Sequence, residues 1–302
     1  MNRGFSPRTY ALLASTLQAC SSFSGGEDVL GGDPTQTTQQ SLPDPWWCLG
    51  QDPIARESSL GKSGNTQVAL RLPIIDQFTQ APPESGMQGR FCSSTDLGCT
   101  RPVVDWMPLP ADGRLSALVS SGFAGYAELR GSGYPNILFI VDTPVLRDLE
   151  LYAHALVSIE GVMAIGQVLM QPVLQPNAGL LVASVLNCDG DAAEGVHIEL
   201  SSGGQPVVLL GGIPVAGGRD TARDGVVIFN QVPPGPARVR VTLPDGRLVR
   251  EQAVDVRGGW YSGLYLRPIV YSAEELCSID GARPQPGHAE FIGRLRVCER
   301  DD

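Results

Sequence analysis

Residues 222–241, A-R-D-G-V-V-I-F-N-Q-V-P-P-G-P-A-R-V-R-V, constrain this chain more than any other stretch. Asp224-Gly225 is a tight-turn dipeptide and Val226 to Phe229 is a β-branched and aromatic run. Pro233-Pro234-Gly235 then turns the chain before Val239 and Val241 alternate with Arg238 and Arg240. That order of signals predicts antiparallel strands joined by turns. The whole chain carries the same punctuation: 36 Gly and 24 Pro in 302 residues, with 18% charged, predict many turns and few long helices. The length accommodates two domains plus tails.

A period-two pattern opens at Thr66, with Val68, Leu70, Leu72 and Ile74 on one face and Gln67, Ala69 and Arg71 on the other. Short strand patterns follow at 88–92, 103–106, 114–119, 125–129, 136–141 and 149–156, which together predict a first β-sandwich over 65–157. Residues 158–166 predict a short helix, with Ser158 as N-cap and Glu160 in the first turn, where the helix dipole favours an acid. Pro172 and Pro176 extend this connection to 177. A second sandwich is expected over 178–270, with strands at 180–186, 196–200, 226–229, 237–241, 248–256 and 260–266 and a long loop at 201–221. The spacing Asp112-Gly113, strand, Ser121-Gly122, strand parallels Asp224-Gly225, strand, Pro234-Gly235, strand, which suggests an internal duplication. The fold class expected is therefore all-β: two tandem Ig-like sandwiches, one short connecting helix and a disordered N-terminal tether.

The first 20 residues carry Arg3 and Arg8, an apolar segment at 10–17, and Leu17-Gln18-Ala19-Cys20. They resemble a bacterial lipoprotein signal peptide, which implies export, cleavage before Cys20 and lipidation of that residue. Residues 21–45 are rich in Ser, Gly, Thr, Gln, Asp and Pro, so 21–64 is expected to be a flexible tether interrupted by an apolar knot, Trp46-Trp47-Cys48. In an oxidising compartment the other six cysteines are expected as disulfides. Cys92 and Cys99 bracket a short Gly-containing loop, and Cys277 and Cys298 bracket a Pro- and Gly-rich tail at 271–302. Those two local pairs leave Cys48–Cys188, although six cysteines allow 15 pairings and Cys48 joined to the first domain is the competing arrangement.

Gly179-x-Leu-Val-x-x-Val, Asp189-Gly190, Glu194-Gly195-Val196-x-Ile198-x-Leu200, Asp224-Gly225, Phe229 and Val232-Pro233-Pro234-Gly235 resemble the carboxypeptidase regulatory-like, or transthyretin-like, β-sandwich. The likeness covers about a third of the chain, is looser over 66–157, and extends to bacterial lipoproteins built from tandem sandwiches. Domains of this kind are non-catalytic accessories, so the resemblance implies an accessory module.

Candidate chemistry is sparse. The histidines are His154, His197 and His288, too few and too far apart for a zinc peptidase pattern. His197 and Glu199 share a strand face opposite Val196, Ile198 and Leu200, which makes them the solvent face. Gly61-Lys62-Ser63 lacks the preceding Gly of a phosphate loop, and no G-x-S-x-G elbow occurs. Asp189, Asp191 and Glu194 cluster in a turn without EF-hand spacing. No cofactor, metal or catalytic residue is expected. Trp260, Tyr261 and Tyr265 could form a ligand surface, against which stands the commoner fate of aromatics, filling a core. The formal net charge of −10 disfavours nucleic acid. Together these features predict a non-enzymatic, lipid-anchored protein of the bacterial cell envelope, at the outer membrane, acting as an adhesion, scaffold or ligand-presenting module. Its expected partners are the membrane, through the lipid, and an envelope protein or polysaccharide. The alternatives are a polysaccharide-binding module using exposed aromatics, and a hydrolase whose site forms only in three dimensions.

Overall fold

The computed structural model describes residues 44–49, 66–83, 86–141, 144–151, 153–210 and 213–268, together with the backbone of 283–284 and 298–299. All of these belong to the compact unit Pro43–Asp302. The signal segment 1–20 with Cys20, most of the tether, His288 and Cys277 lie outside the described residues.

The first half contributes β1 (Gln67–Asp76), β2 (Gln88–Ser93), β3 (Val104–Pro108), β4 (Arg114–Ser120), β5 (Gly125–Arg130), β6 (Asn136–Ile140), β7 (Leu149–Glu150) and β8 (His154–Leu156). The helix α1 (Ile159–Val168) leads to the second half: β9 (Gly179–Val185), β10 (His197–Leu200), β11 (Gln205–Leu210), β12 (Ile213–Ala216), β13 (Val226–Val232), β14 (Gly235–Thr242), β15 (Leu248–Val256) and β16 (Trp260–Leu266). A two-residue pair, β17 (Arg283–Pro284) with β18 (Cys298–Glu299), follows. The all-β class is as the composition predicts. The helix starts where the sequence puts it, because the Ser158 side chain accepts a hydrogen bond from the Gly161 N–H (3.2 Å).

The two sandwiches are not separate bodies. A nine-stranded sheet, β12-β11-β13-β9-β16-β6-β5-β2-β3, runs through both halves. Its join is β16, which pairs in parallel with β6 on one side and with β9 on the other. One face of this sheet buries Leu138, Ile140, Leu181, Ala183, Val227, Phe229, Leu264 and Leu266 in a core shared with the three-stranded sheet β10-β14-β15. The opposite face buries Phe91, Leu129, Ile137, Phe139, Ile228 and Tyr261 with β1, β4 and Val162 of α1. Each half thus has its own small sheet, and the two small sheets cover opposite faces of a common large one. Two faces buried along one strand explain the near-continuous apolar runs at 137–140 in β6 and 180–183 in β9, since alternation disappears where neither face is wet.

Two further expectations change. The loop expected at 201–221 contains the hairpin β11–β12, whose prolines and glycine pairs disguise it as irregular chain. Gly217 N–H donates to Pro206 C=O (2.8 Å), so Ile213 and Val215 turn their backbone toward β11 while Pro214 and Ala216 face the open edge. The N–H that Pro214 lacks is therefore one that β11 never needed, and the edge of the large sheet is blunted there. The duplication suggested by turn spacing also has no structural counterpart. β4 lies in a small sheet and β5 in the large one, whereas β13 lies in the large sheet and β14 in a small one. Gly225, the turn glycine of the organising stretch, has φ +67°, and a Cβ there would lie 2.7 Å from the Val185 carbonyl oxygen.

Candidate functional site

The densest polar chemistry lies where the two halves meet. Glu128 points from β5 onto the face covered by β10-β14-β15, and its side chain is 1% exposed. One carboxylate oxygen sits 2.6 Å from Arg90 of β2 and the other 2.5 Å from Arg257, in the turn between β15 and β16. Arg257 also donates to the Tyr126 hydroxyl (3.2 Å) and to the Leu97 carbonyl, and its guanidinium lies over the Trp260 ring at 4.8 Å. Tyr126 in turn donates to the Asp96 carbonyl (2.5 Å). Burial works against the charge of Arg257, but the hydrogen bonds and charge of Glu128 and Tyr126 prevail and hold its pKa above the ordinary value. Arg90 and Arg130 stack on Trp106 at 4.7 and 3.8 Å, extending the ladder to the β3 edge. A carboxylate held by two guanidinium groups is a fastener between the elements that carry them. Nothing in G-Y-A-E-L-R singles out its glutamate for burial.

Both described disulfides follow the expected pairing. Cys92 and Cys99 are joined with Cα atoms 5.4 Å apart, and Cys48 and Cys188 with Cα atoms 5.9 Å apart. The longer bridge is flanked by further ties: Cys188 N–H donates to Pro45 C=O (3.1 Å), and the Trp47 indole N–H donates to the Asp189 carboxylate (3.1 Å). Asp189 therefore serves to dock the N-terminal knot, while Asn187 accepts the N–H groups of Asp189 and Asp191 and shapes the turn. Cys92, Cys99 and Glu128 form the sole metal-sized group of ligand atoms among the described residues. Sulfurs committed to a disulfide and a carboxylate committed to two arginines do not make a metal site. Of the tail, β18 gives the Cys298 backbone, and the Cys277–Cys298 expectation lies outside the described residues.

Trp260, Tyr261 and Tyr265 do not converge on a common surface. β16 is an interior strand, Trp260 packs toward one face of the large sheet, and Tyr261 and Tyr265 toward the other. Tyr261 is buried, and burial together with Tyr265 raises its hydroxyl pKa. The Tyr265 hydroxyl donates to the Ala153 carbonyl (2.9 Å). His197 is on the solvent face as expected, 2.6 Å from Asp220.

His154 is buried at the start of β8 among Phe139, Tyr261 and Tyr265, with ring centroids 4.6, 5.8 and 6.5 Å away. The ring fits because residue 263 is glycine: a Cβ there would lie 2.5 Å from the His154 Cε1. Desolvation lowers its pKa to about 4. The unfolded chain takes up this proton near pH 6.5 and the folded chain does so only near pH 4, so the contribution is complete above pH 6.5 and lost as pH falls toward 4. About 3 kcal/mol should disappear over that window. Urea titrations of the native chain and of His154→Leu at matched pH check this: the native chain should lose stability faster by that amount, and parallel pH profiles would refute it.

A groove of ≈ 1100 Å³ separates the small sheet of the second half from the loops of the first. Tyr126, Leu138 and Ile140 are among its lining, and β15 forms one wall through Ala253, Val254 and Asp255. Arg238 turns its backbone toward β10, donating to Ser201 Oγ (2.8 Å) and accepting from the Ser201 N–H (3.0 Å). Ala237 and Val239 therefore bond to Val254 and Gln252 of β15, and the backbone groups of Ala253 and Asp255 point away from the sheet.

No family model and no curated protein matches the chain. Solved structures do align: the TIE protein of Bacillus anthracis at 9% identity over 68% of this chain and 34% of that one, with a TM-score of 0.24. The shaft pilin SpaA of Lactobacillus rhamnosus GG aligns at 9% over 68% and 100%, TM-score 0.21, and the major pilin subunit BcpA of Bacillus cereus at 10% over 67% and 99%, TM-score 0.22. The chain spans about a third of the Bacillus anthracis protein. Superpositions this loose carry no argument about function, and the β-sandwich architecture stands on the chain's own sheets.

Proposed function

We propose that the chain is a non-enzymatic, lipid-anchored module of the bacterial cell envelope that serves as a scaffold or adhesion element. The observation that carries this reading is the coupling of the two halves through one sheet, with the buried Glu128–Arg257 ion pair crossing the join. A module that presents a surface or bears load gains from such coupling. The lipid anchor and export rest on the N-terminal sequence, with Cys20 as the lipidated residue. Two measurements test the proposal together. Cys20→Ala should move the protein from the membrane to the soluble fraction, and the purified ectodomain should retain envelope material in a pull-down while showing no turnover in a broad hydrolase screen. Unchanged membrane partitioning would remove the anchor. Turnover abolished by substituting a single Ser or His would remove the non-enzymatic reading.

A further inference from the structure

We propose that the open edge of β15 is a strand-docking site and that the chain's own residues 291–297 occupy it. The backbone groups of Ala253 and Asp255 face a groove that Tyr126, Leu138 and Ile140 help to line; among the described residues no backbone partner reaches them, and the Ala253 carbonyl accepts only from the neighbouring Gln252 side-chain amide (3.1 Å). An open edge beside an apolar groove is a template for one more strand. The small sheet has three strands where the sheet beneath it has nine, so an added strand widens the cover rather than colliding with it.

The occupant is argued from sequence, reach and charge. The chain continues for 34 residues beyond Pro268, and within them F-I-G-R-L-R-V places Phe291, Gly293, Leu295 and Val297 on one face and Ile292, Arg294 and Arg296 on the other, with strict apolar–basic alternation from Arg294 to Val297. Cys298–Glu299, immediately downstream, is already a strand. Docked on β15, the apolar face would rest on the groove lining, and the arginines would fall on the solvent side beside Glu251 and Asp255. The path is short, because β16 leaves the sheet next to β6, with Leu264 opposite the groove residue Ile140. The 23 residues from Pro268 to Phe291 span up to roughly 75 Å when extended, so reach is no obstacle.

Amide hydrogen exchange on the full chain tests this, comparing it with Leu295→Pro and with the double substitution Arg294→Glu/Arg296→Glu. The Ala253 and Asp255 amides should exchange about tenfold or more slowly in the native chain than in Leu295→Pro, with the double substitution between them and the Val239 amide unchanged throughout. Equal exchange at Ala253 and Asp255 in the native chain and Leu295→Pro overturns the proposal. Protection that grows with protein concentration also overturns it and assigns the edge to a second copy.

Discussion

Glu128→Gln should destabilise the protein by about 3–5 kcal/mol, the range for removing one partner of a buried ion pair. The substitution keeps the shape of the side chain and removes its charge. Two guanidinium groups, Arg90 and Arg257, then remain in a site whose central side chain is 1% exposed. Arg257→Met should be milder, because Glu128 keeps Arg90 at 2.6 Å. The two variants also differ in kind. Arg257 belongs to the second half and Glu128 to the first, so Arg257→Met weakens the join specifically, whereas Glu128→Gln also loosens β2 from β5. Urea unfolding followed by fluorescence and by circular dichroism reads both effects. Glu128→Gln should shift the midpoint strongly with coincident probes, and a loss below 1 kcal/mol would mean that water solvates the arginines freely.

The second large effect is expected at Cys48–Cys188. The bridge closes a loop with a sequence separation of 140, and the chain-entropy treatment assigns about 5 kcal/mol to such a closure, against about 2.5 for the separation of 7 at Cys92–Cys99. Cys48→Ala/Cys188→Ala should therefore lower the melting temperature more than Cys92→Ala/Cys99→Ala does. Residues 44–49 should also lose their hold, with Trp47 fluorescence shifting as its bond to Asp189 opens. If the short bridge proved the larger contributor, local strain relief rather than loop closure would govern both. Peptide mapping without reductant checks the pairing itself: a Cys48–Cys92 or Cys48–Cys99 peptide would contradict it.

Local structure was largely written in the sequence, and long-range arrangement was not. Ser158 announced α1, alternation announced β1, and the Asp224-Gly225 turn placed β13. Those features depend on residues within a few positions of one another. The shared sheet depends on β16 meeting β6, about 120 residues upstream, and no local period encodes that meeting. A sign was present in the apolar runs of β6 and β9, which a strand exposed on one face does not require. The hairpin β11–β12 was obscured because Pro206 and Pro214 read as breakers, yet Pro214 sits on the edge strand with its missing N–H facing away, and Pro206 lies at the mouth of the hairpin, opposite Gly217 just past the end of β12. Tyr261 followed the same logic as Trp260 in sequence, and only the parallel neighbours of β16 decide that it is enclosed. Glu128 lies in a strand whose other polar end, Arg130, is exposed, so its burial depends on Arg257 arriving from the far half.

The position of β16 also sets a clock. Among the described residues it is the last long strand, and it is the middle strand of the large sheet. A chain emerging from its N-terminus completes β6 at Ile140 but waits until Trp260 for the neighbour that belongs beside it. At biosynthetic rates of 5–20 residues per second the delay is roughly 6–24 s. Throughout that interval β6 and then β9 offer bare, strongly apolar edges to any passing strand. Truncation ahead of Trp260 would leave the first half permanently in that condition, so the vulnerable period of this protein lies between synthesis of its first half and arrival of β16.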